Sequence, residues 1–148
     1  MSEDRWSTAT AALRLAARLV DEIQAGVMTA GFRDVTPLHG FAFARIAEGN
    51  ATTADLASRL GISKQAAAQL TQRLVAAGYV ERRPHPSDHR ARLLELTERG
   101  HACTWAARHA AERAVDRWRS EITARDASHF EAALLTLAAP VQTLKPPL

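Results

Sequence analysis

Four residues at helical spacing raise the first chemical question. In the segment SKQAAAQLTQRLVAA, Gln65, Ala68, Gln69 and Gln72 fall on one side, with Lys64 at its edge. Spaced at 100° per residue, Ala67, Leu70, Leu74 and Ala77 fall on the other side. The polar side carries no acid. Glutamine can pair bidentately with adenine, and small alanines permit close approach and contact with thymine methyls. A helix face that merely meets solvent would more often mix Glu and Lys. The chemistry on offer is the reading of base edges in a DNA groove.

The charge pattern points the same way. The formal net charge of +3 is small, but residues 59–99 hold eight cations against four anions. The cations are Arg59, Lys64, Arg73, Arg82, Arg83, Arg90, Arg92 and Arg99, and the rest of the chain is close to neutral. Of 19 cations in all, 17 are arginine, whose planar fork suits phosphate and guanine. A GC-rich coding sequence would explain the arginine total but not its local surplus. Clustered arginine is a footprint of phosphate binding.

Other chemistries find little support. There is no glycine-rich phosphate loop, no H-E-x-x-H and no G-x-S-x-G, so no enzyme and no cofactor are expected. The single cysteine, Cys103, excludes an internal disulfide framework and a multi-cysteine zinc site. His101 and His109 are more than two helical turns apart, and no metal is expected. No apolar run approaches the ~20 residues needed to span a bilayer. The polar, acidic first eight residues are unlike a secretory signal, so a cytoplasmic, membrane-free protein is expected.

The elements that must position these residues are mostly helical. The chain of 148 residues is rich in Ala (31) and Leu (16) and poor in Val (7) and Ile (4). A first helix is expected over residues 7–30. Its two apolar rows, Leu13, Ala16, Ala17, Val20 and Val27 beside Leu15, Leu19 and Ile23, exceed what one neighbour would bury. They suggest a second seam for a partner, although a helix central to its own domain would also account for them. Thr36 then Pro37 opens the next helix, over residues 37–48. Thr52 with Asp55 opens a short one ending at Gly61, and Ser63 caps the glutamine-bearing helix, which ends at Gly78.

Two short helices joined by a tight glycine-containing turn make a helix-turn-helix. Tyr79 to Arg83 and the alternating RLLELT then read as a β-hairpin, with the proline-rich, basic tip PHPSDHRA between them. A long helix from Thr97 to about Ile122 follows. A last helix is capped by Thr123 and Asp126 and stopped by Pro140. The tail QTLKPPL is expected to be loosely ordered.

The stretch TTADLASRLGISKQAAAQLTQRLVAAGYVERRPHPSDHRARLLELTERG closely resembles the MarR family of bacterial transcription regulators. The most specific marks are Asp88-His89-Arg90 in the wing and Leu94-Glu95-Leu96-Thr97 in the return strand. The resemblance implies a mainly α fold with a small β-wing, a winged helix-turn-helix flanked by N- and C-terminal dimerisation helices. It divides a single domain over residues 1–148 into dimerisation helices (1–32 and 100–148) and a DNA-binding lobe (33–99). It implies a homodimer on a pseudo-palindromic operator in double-stranded DNA, with the helix from Ser63 in the major groove.

The expected DNA contacts are Ser63, Lys64, Gln65, Ala68, Gln69, Gln72, Arg73, Arg82, Arg83, Arg90 and Arg92. The resemblance implies that Arg90 enters the minor groove and that Asp88 braces the wing through a salt bridge. Ala66 and Ala68 make the reading helix smoother than is usual in the family, which places discrimination on three glutamines and on DNA shape.

The resemblance further implies a dimeric repressor relieved by a small aromatic or phenolic ligand. Trp6, Arg14, His39, Phe43 and Trp105 are candidate ligand contacts, His39 because an imidazole near a helix start could titrate or bond an acid. For each of them ordinary packing or a surface position competes. Two alternatives stand beside this one. Cys103 could act as a redox sensor on the same fold, although a buried, inert thiol is its simpler reading. A winged helix that binds only protein is the other, and it would favour an acidic or apolar outer face.

Overall fold

The computed structural model of the chain describes residues 2–139, with side chains from Asp4 onward. Pro140 and the tail lie outside the described residues. Six helices and one hairpin follow in order: α1 (Ser2–Thr29), α2 (Pro37–Ala47), α3 (Thr53–Leu60), α4 (Lys64–Ala76), β1 (Val80–Pro84), β2 (Arg92–Leu96), α5 (Glu98–Glu121) and α6 (Ala124–Leu137).

The sequence's caps place most of these boundaries. Thr36 accepts the His39 backbone N–H, and the His39 ring accepts the Thr36 N–H at 3.2 Å, a reciprocal cap built with an imidazole. Asp55 Oδ2 accepts both the N–H and the hydroxyl of Thr52, at 2.8 and 2.9 Å, and these bonds hold its carboxyl below the usual range. Ser63 Oγ accepts the Ala66 N–H. Helix α4 ends where Gly78 adopts φ +79, a left-handed conformation costly for any side chain. The Tyr79 and Gly78 N–H groups then close onto the carbonyls of Leu74 and Val75.

The described residues form two compact units, divided between Ala111 and Glu112, within α5. In the first, Val27, Phe43, Ile46, Leu56, Leu70, Leu74, Val80 and Leu94 build the core. Strands β1 and β2 pair antiparallel, with Val80 opposite Leu96 and Pro84 opposite Arg92. An isolated bridge from the Leu94 N–H to the Ala51 carbonyl (2.8 Å) ties β2 to the segment entering α3. The hairpin is thereby fixed to the helix-turn-helix.

The second unit holds the end of α5 and α6. There Ala127 is buried, Arg119 pairs with Glu131 at 3.1 Å, and Thr123 caps α6 through the Asp126 N–H.

Tyr79 was expected to open the first strand. Instead the strand opens at Val80, and the Tyr79 side chain is buried, 1% exposed, at the meeting of several elements. Its ring lies 5.5 Å from Phe43 and 6.2 Å from Phe32, centroid to centroid. Its hydroxyl donates to Asp34 at 2.6 Å and accepts from Arg99, whose guanidinium also covers the ring at 4.5 Å. The tyrosine hydroxyl draws the Asp34 carboxyl downward in pKa. Burial, helped by that carboxylate, raises the phenol. Tyr79 thus joins the α1–α2 loop, the end of α4, the root of the wing and the start of α5.

Candidate nucleic-acid interface

Helix α4 buries Ala67, Leu70, Thr71 and Leu74. Its other side exposes Lys64, Gln65, Ala68, Gln69, Gln72 and Arg73. Thr71 was not picked out by the sequence pattern, because a threonine in an apolar row looks like a break. Its hydroxyl donates to the Ala67 carbonyl at 2.8 Å and lies 3.3 Å from the Thr53 hydroxyl, so it locks α3 to α4 without an unpaired polar atom. The exposed side is therefore held rigidly by the buried one. Ser63 is exposed, and its oxygen is engaged as the cap acceptor, leaving its hydrogen available to donate.

The wing departs from expectation at two residues. Asp88 forms no salt bridge among the described residues. Its carboxylate instead accepts the Arg90 backbone N–H at 2.9 Å, which is the bond that a short side chain makes most readily two residues along a turn. Arg83 is not a free phosphate-binding cation. Its guanidinium reaches Glu81 at 2.6 Å and Glu95 at 3.3 Å. The hairpin register sets those two acids directly opposite each other, a repulsive pairing that the arginine offsets. Arg82, Arg90 and Arg92 are exposed. Among the described residues, no carboxylate pairs with them, nor with Lys64 or Arg73. The wing and α4 thus present five uncommitted cations.

The first unit also forms a partly open apolar cavity of about 350 Å³ lined by α1, the loop after it, α2 and α5. Of the five sequence candidates for ligand contact, only Phe43 lines it. Trp6 and Arg14 lie on exposed turns of α1, before the lining begins at Val20. His39 is occupied by its capping bond. Burial lowers its pKa most, Arg73 adds to that, and Asp34 opposes it, so the ring is neutral near pH 7. Trp105 is exposed, beside a smaller depression shared with His101, Thr104 and Arg108.

The residues that the sequence reading missed are Thr104 and Arg108, which bring the cavity polar groups from α5. A signal was present. Cys103, Ala107 and Ala111 recur every four residues on α5, and all three line the cavity, where larger side chains would have filled it.

Cys103 is 1% exposed, and burial pushes its thiol pKa up to about 11. A reactive cysteine needs access and a lowered pKa, so the redox alternative loses its physical basis. Groups of three or more metal-ligating side chains are absent among the described residues, as are helices long and apolar enough to cross a membrane.

A rigid helix pair with one polar, acid-free exposed side, followed by a basic hairpin pinned to it, defines a winged helix-turn-helix. Residues 33–91 match the profile of the MarR family, and the fold is similar to that of solved MarR-family regulators. The apo form of MarR from E. coli superposes with a TM-score of 0.71 at 20% identity, covering 88% of this chain and 96% of that one. RV1404 from Mycobacterium tuberculosis gives 0.73 at 24% identity, with 91% and 94% covered. The MarR family protein RV2887 of the same organism, solved in complex with salicylic acid, gives 0.64 at 25%, with 85% and 92% covered. No curated protein matches the sequence.

Proposed function

We propose that the protein is a sequence-specific DNA-binding transcriptional regulator, a cytoplasmic homodimer that represses by occupying its operator. The observation that carries this reading is the combined surface of α4 and the wing. Gln65, Gln69 and Gln72 stand free on a helix anchored from behind, and Lys64, Arg73, Arg82, Arg90 and Arg92 around them lack acidic partners. Arginine and lysine supply affinity through phosphates, while glutamines supply discrimination through base edges.

A second copy is supported by apolar side chains that one chain leaves uncovered. Trp6 and Leu13 on α1 are 72% and 71% exposed, and Leu135 and Leu137 on α6 are 74% and 82% exposed. Exposed apolar side chains on both helices favour association with a second copy. Two dyad-related α4 helices would then read half-sites about 10 bp apart.

The cavity supports relief by a small aromatic or phenolic ligand. Its apolar wall includes Phe43, and Thr104 and Arg108 offer it polar groups. A ligand that favours a dimer with wrongly spaced reading helices lowers operator affinity.

Selection of binding sites from a random duplex pool tests both reading and symmetry. The wild-type protein should enrich paired, inverted half-sites. Gln69→Ala should lose preference at one position in each half-site while its nonspecific affinity changes little. A uniform loss across all sequences would refute base reading by α4, and enrichment of single, unpaired sites would refute the dimer.

A further inference from the structure

The tip of the wing is organised by the side chain of His85. His85 is half-buried between Pro84 and Pro86, neither of which has an N–H to hold the turn. Its ring Nδ1 accepts the backbone N–H of Asp88 at 3.1 Å and that of Ser87 at 3.2 Å, and the Ser87 hydroxyl lies 3.4 Å away. Asp88 in turn accepts the Arg90 N–H through its carboxylate, and the Ala91 N–H through its carbonyl at 3.2 Å. The two side chains act in series. The imidazole fixes the backbone of Asp88, and the Asp88 carboxylate fixes the backbone of Arg90.

We propose that His85 is a positioning residue for the DNA-binding wing, holding Arg90 in place only while its imidazole is neutral. This rests on the reading of Arg90 as a DNA contact. An Nδ1 that accepts must carry its hydrogen on Nε2. A protonated ring has hydrogens on both nitrogens, so it loses the acceptor and sets a third donor against two backbone donors. The tip must then rearrange, and the Asp88 bond to Arg90 loses its support. The charged and titratable groups on the same tip are Asp88, His89 and Arg90, with Arg92 opposite Pro84 across the hairpin. Among the described residues, no hydrogen bond or ion pair joins His85 to a helix. Protonation is therefore felt within the wing.

Two variants separate this from the general gain in phosphate attraction that any protonated histidine brings. His85→Asn keeps an acceptor oxygen in reach of the same two N–H groups but does not titrate. His85→Ala removes the acceptor. The amide resonances of Ser87, Asp88 and Arg90 are followed by NMR in the whole chain from about pH 8 to about pH 5. Affinity for an operator duplex, or for a generic duplex at low salt, is measured alongside.

In the wild type the three amides should move together as the pH falls, and in His85→Asn they should stay. His85→Ala should show the displaced positions already at about pH 8. Its DNA affinity there should be lower by roughly three- to tenfold, while His85→Asn stays within about twofold of wild type. From about pH 8 to about pH 5 the wild type should weaken relative to His85→Asn.

The proposal is overturned if His85→Ala leaves the amides where the wild type has them, or if His85→Asn titrates as the wild type does. Amides that titrate while His85→Ala binds DNA as tightly as wild type would also overturn it. If no form binds DNA at all, the functional reading fails instead, and the amide titration still decides what His85 does.

Discussion

Replacing Gly100 by alanine should destabilise the protein by about 3 kcal/mol and lower its thermal midpoint by roughly 6–12 °C. A Cβ at Gly100 would lie 2.2 Å from the Tyr79 carbonyl oxygen and 3.2 Å from Leu96. The carbonyl cannot simply retreat, because it accepts the Thr97 N–H at 3.0 Å. The Thr97 hydroxyl in turn donates to the Gly78 carbonyl and accepts the Gly100 N–H. Making room at Gly100 therefore breaks bonds that hold α5 against the end of α4. The comparison is Gly40→Ala, within α2, where an added Cβ meets nothing within 4 Å. That change should be neutral or stabilising by up to about 1 kcal/mol, since alanine is the better helix former. Scanning calorimetry of the two variants at equal concentration distinguishes them, and an unchanged midpoint for Gly100→Ala would contradict the packing described.

Arg90→Ala should weaken operator binding roughly 10- to 100-fold, about 1.4–2.8 kcal/mol, with the dimer intact. Arg90 is exposed at the wing tip, its side chain has no acidic partner among the described residues, and its backbone is fixed by Asp88. A pre-positioned guanidinium loses little freedom on entering a narrow minor groove, where the negative potential is enhanced. Titration of the variant against the selected operator, with sedimentation to confirm the dimer, gives the result. Unchanged affinity would remove the wing from the mechanism.

Most helix starts and stops were legible because they depend on neighbours in sequence, although α1 begins at Ser2 and not at residue 7, where no cap marks the start among the described residues. Thr36, Thr52, Ser63 and Thr123 each cap the helix that follows them, as a short polar side chain beside free N–H groups should. The two sides of α4 were legible for the same reason, since periodicity alone decides which residues share a face. Residues whose partners are distant in sequence were not. Tyr79 meets Asp34 and Arg99, 45 and 20 positions away. Arg83 was misread because its role depends on the hairpin register, which brings Glu81 opposite Glu95. The ligand candidates were aromatic and charged side chains, yet a cavity is made by what is small. Cys103, Ala107 and Ala111 leave the space, and Phe43 alone of the candidates borders it.

Phe43 lines the cavity and packs against Tyr79, whose backbone closes α4 and begins the wing. The same aromatic contact therefore touches the proposed ligand space and the root of the reading surface. Gly100→Ala, which pushes on the Tyr79 carbonyl, perturbs that root directly.

The central claim is that α4 and the wing hold duplex DNA through uncommitted cations, and the salt dependence of binding tests it most directly. If Lys64, Arg73, Arg82 and Arg92 each meet a phosphate, a dimer makes about eight such contacts, and log K should fall against log salt with a slope near −7. Fluorescence anisotropy with a labelled duplex, from roughly 50 to 200 mM salt, spans a range in which such a slope costs on the order of 10⁴-fold in affinity. A steep linear fall is the result expected. A flat dependence, or no binding at the lowest salt, would contradict the account.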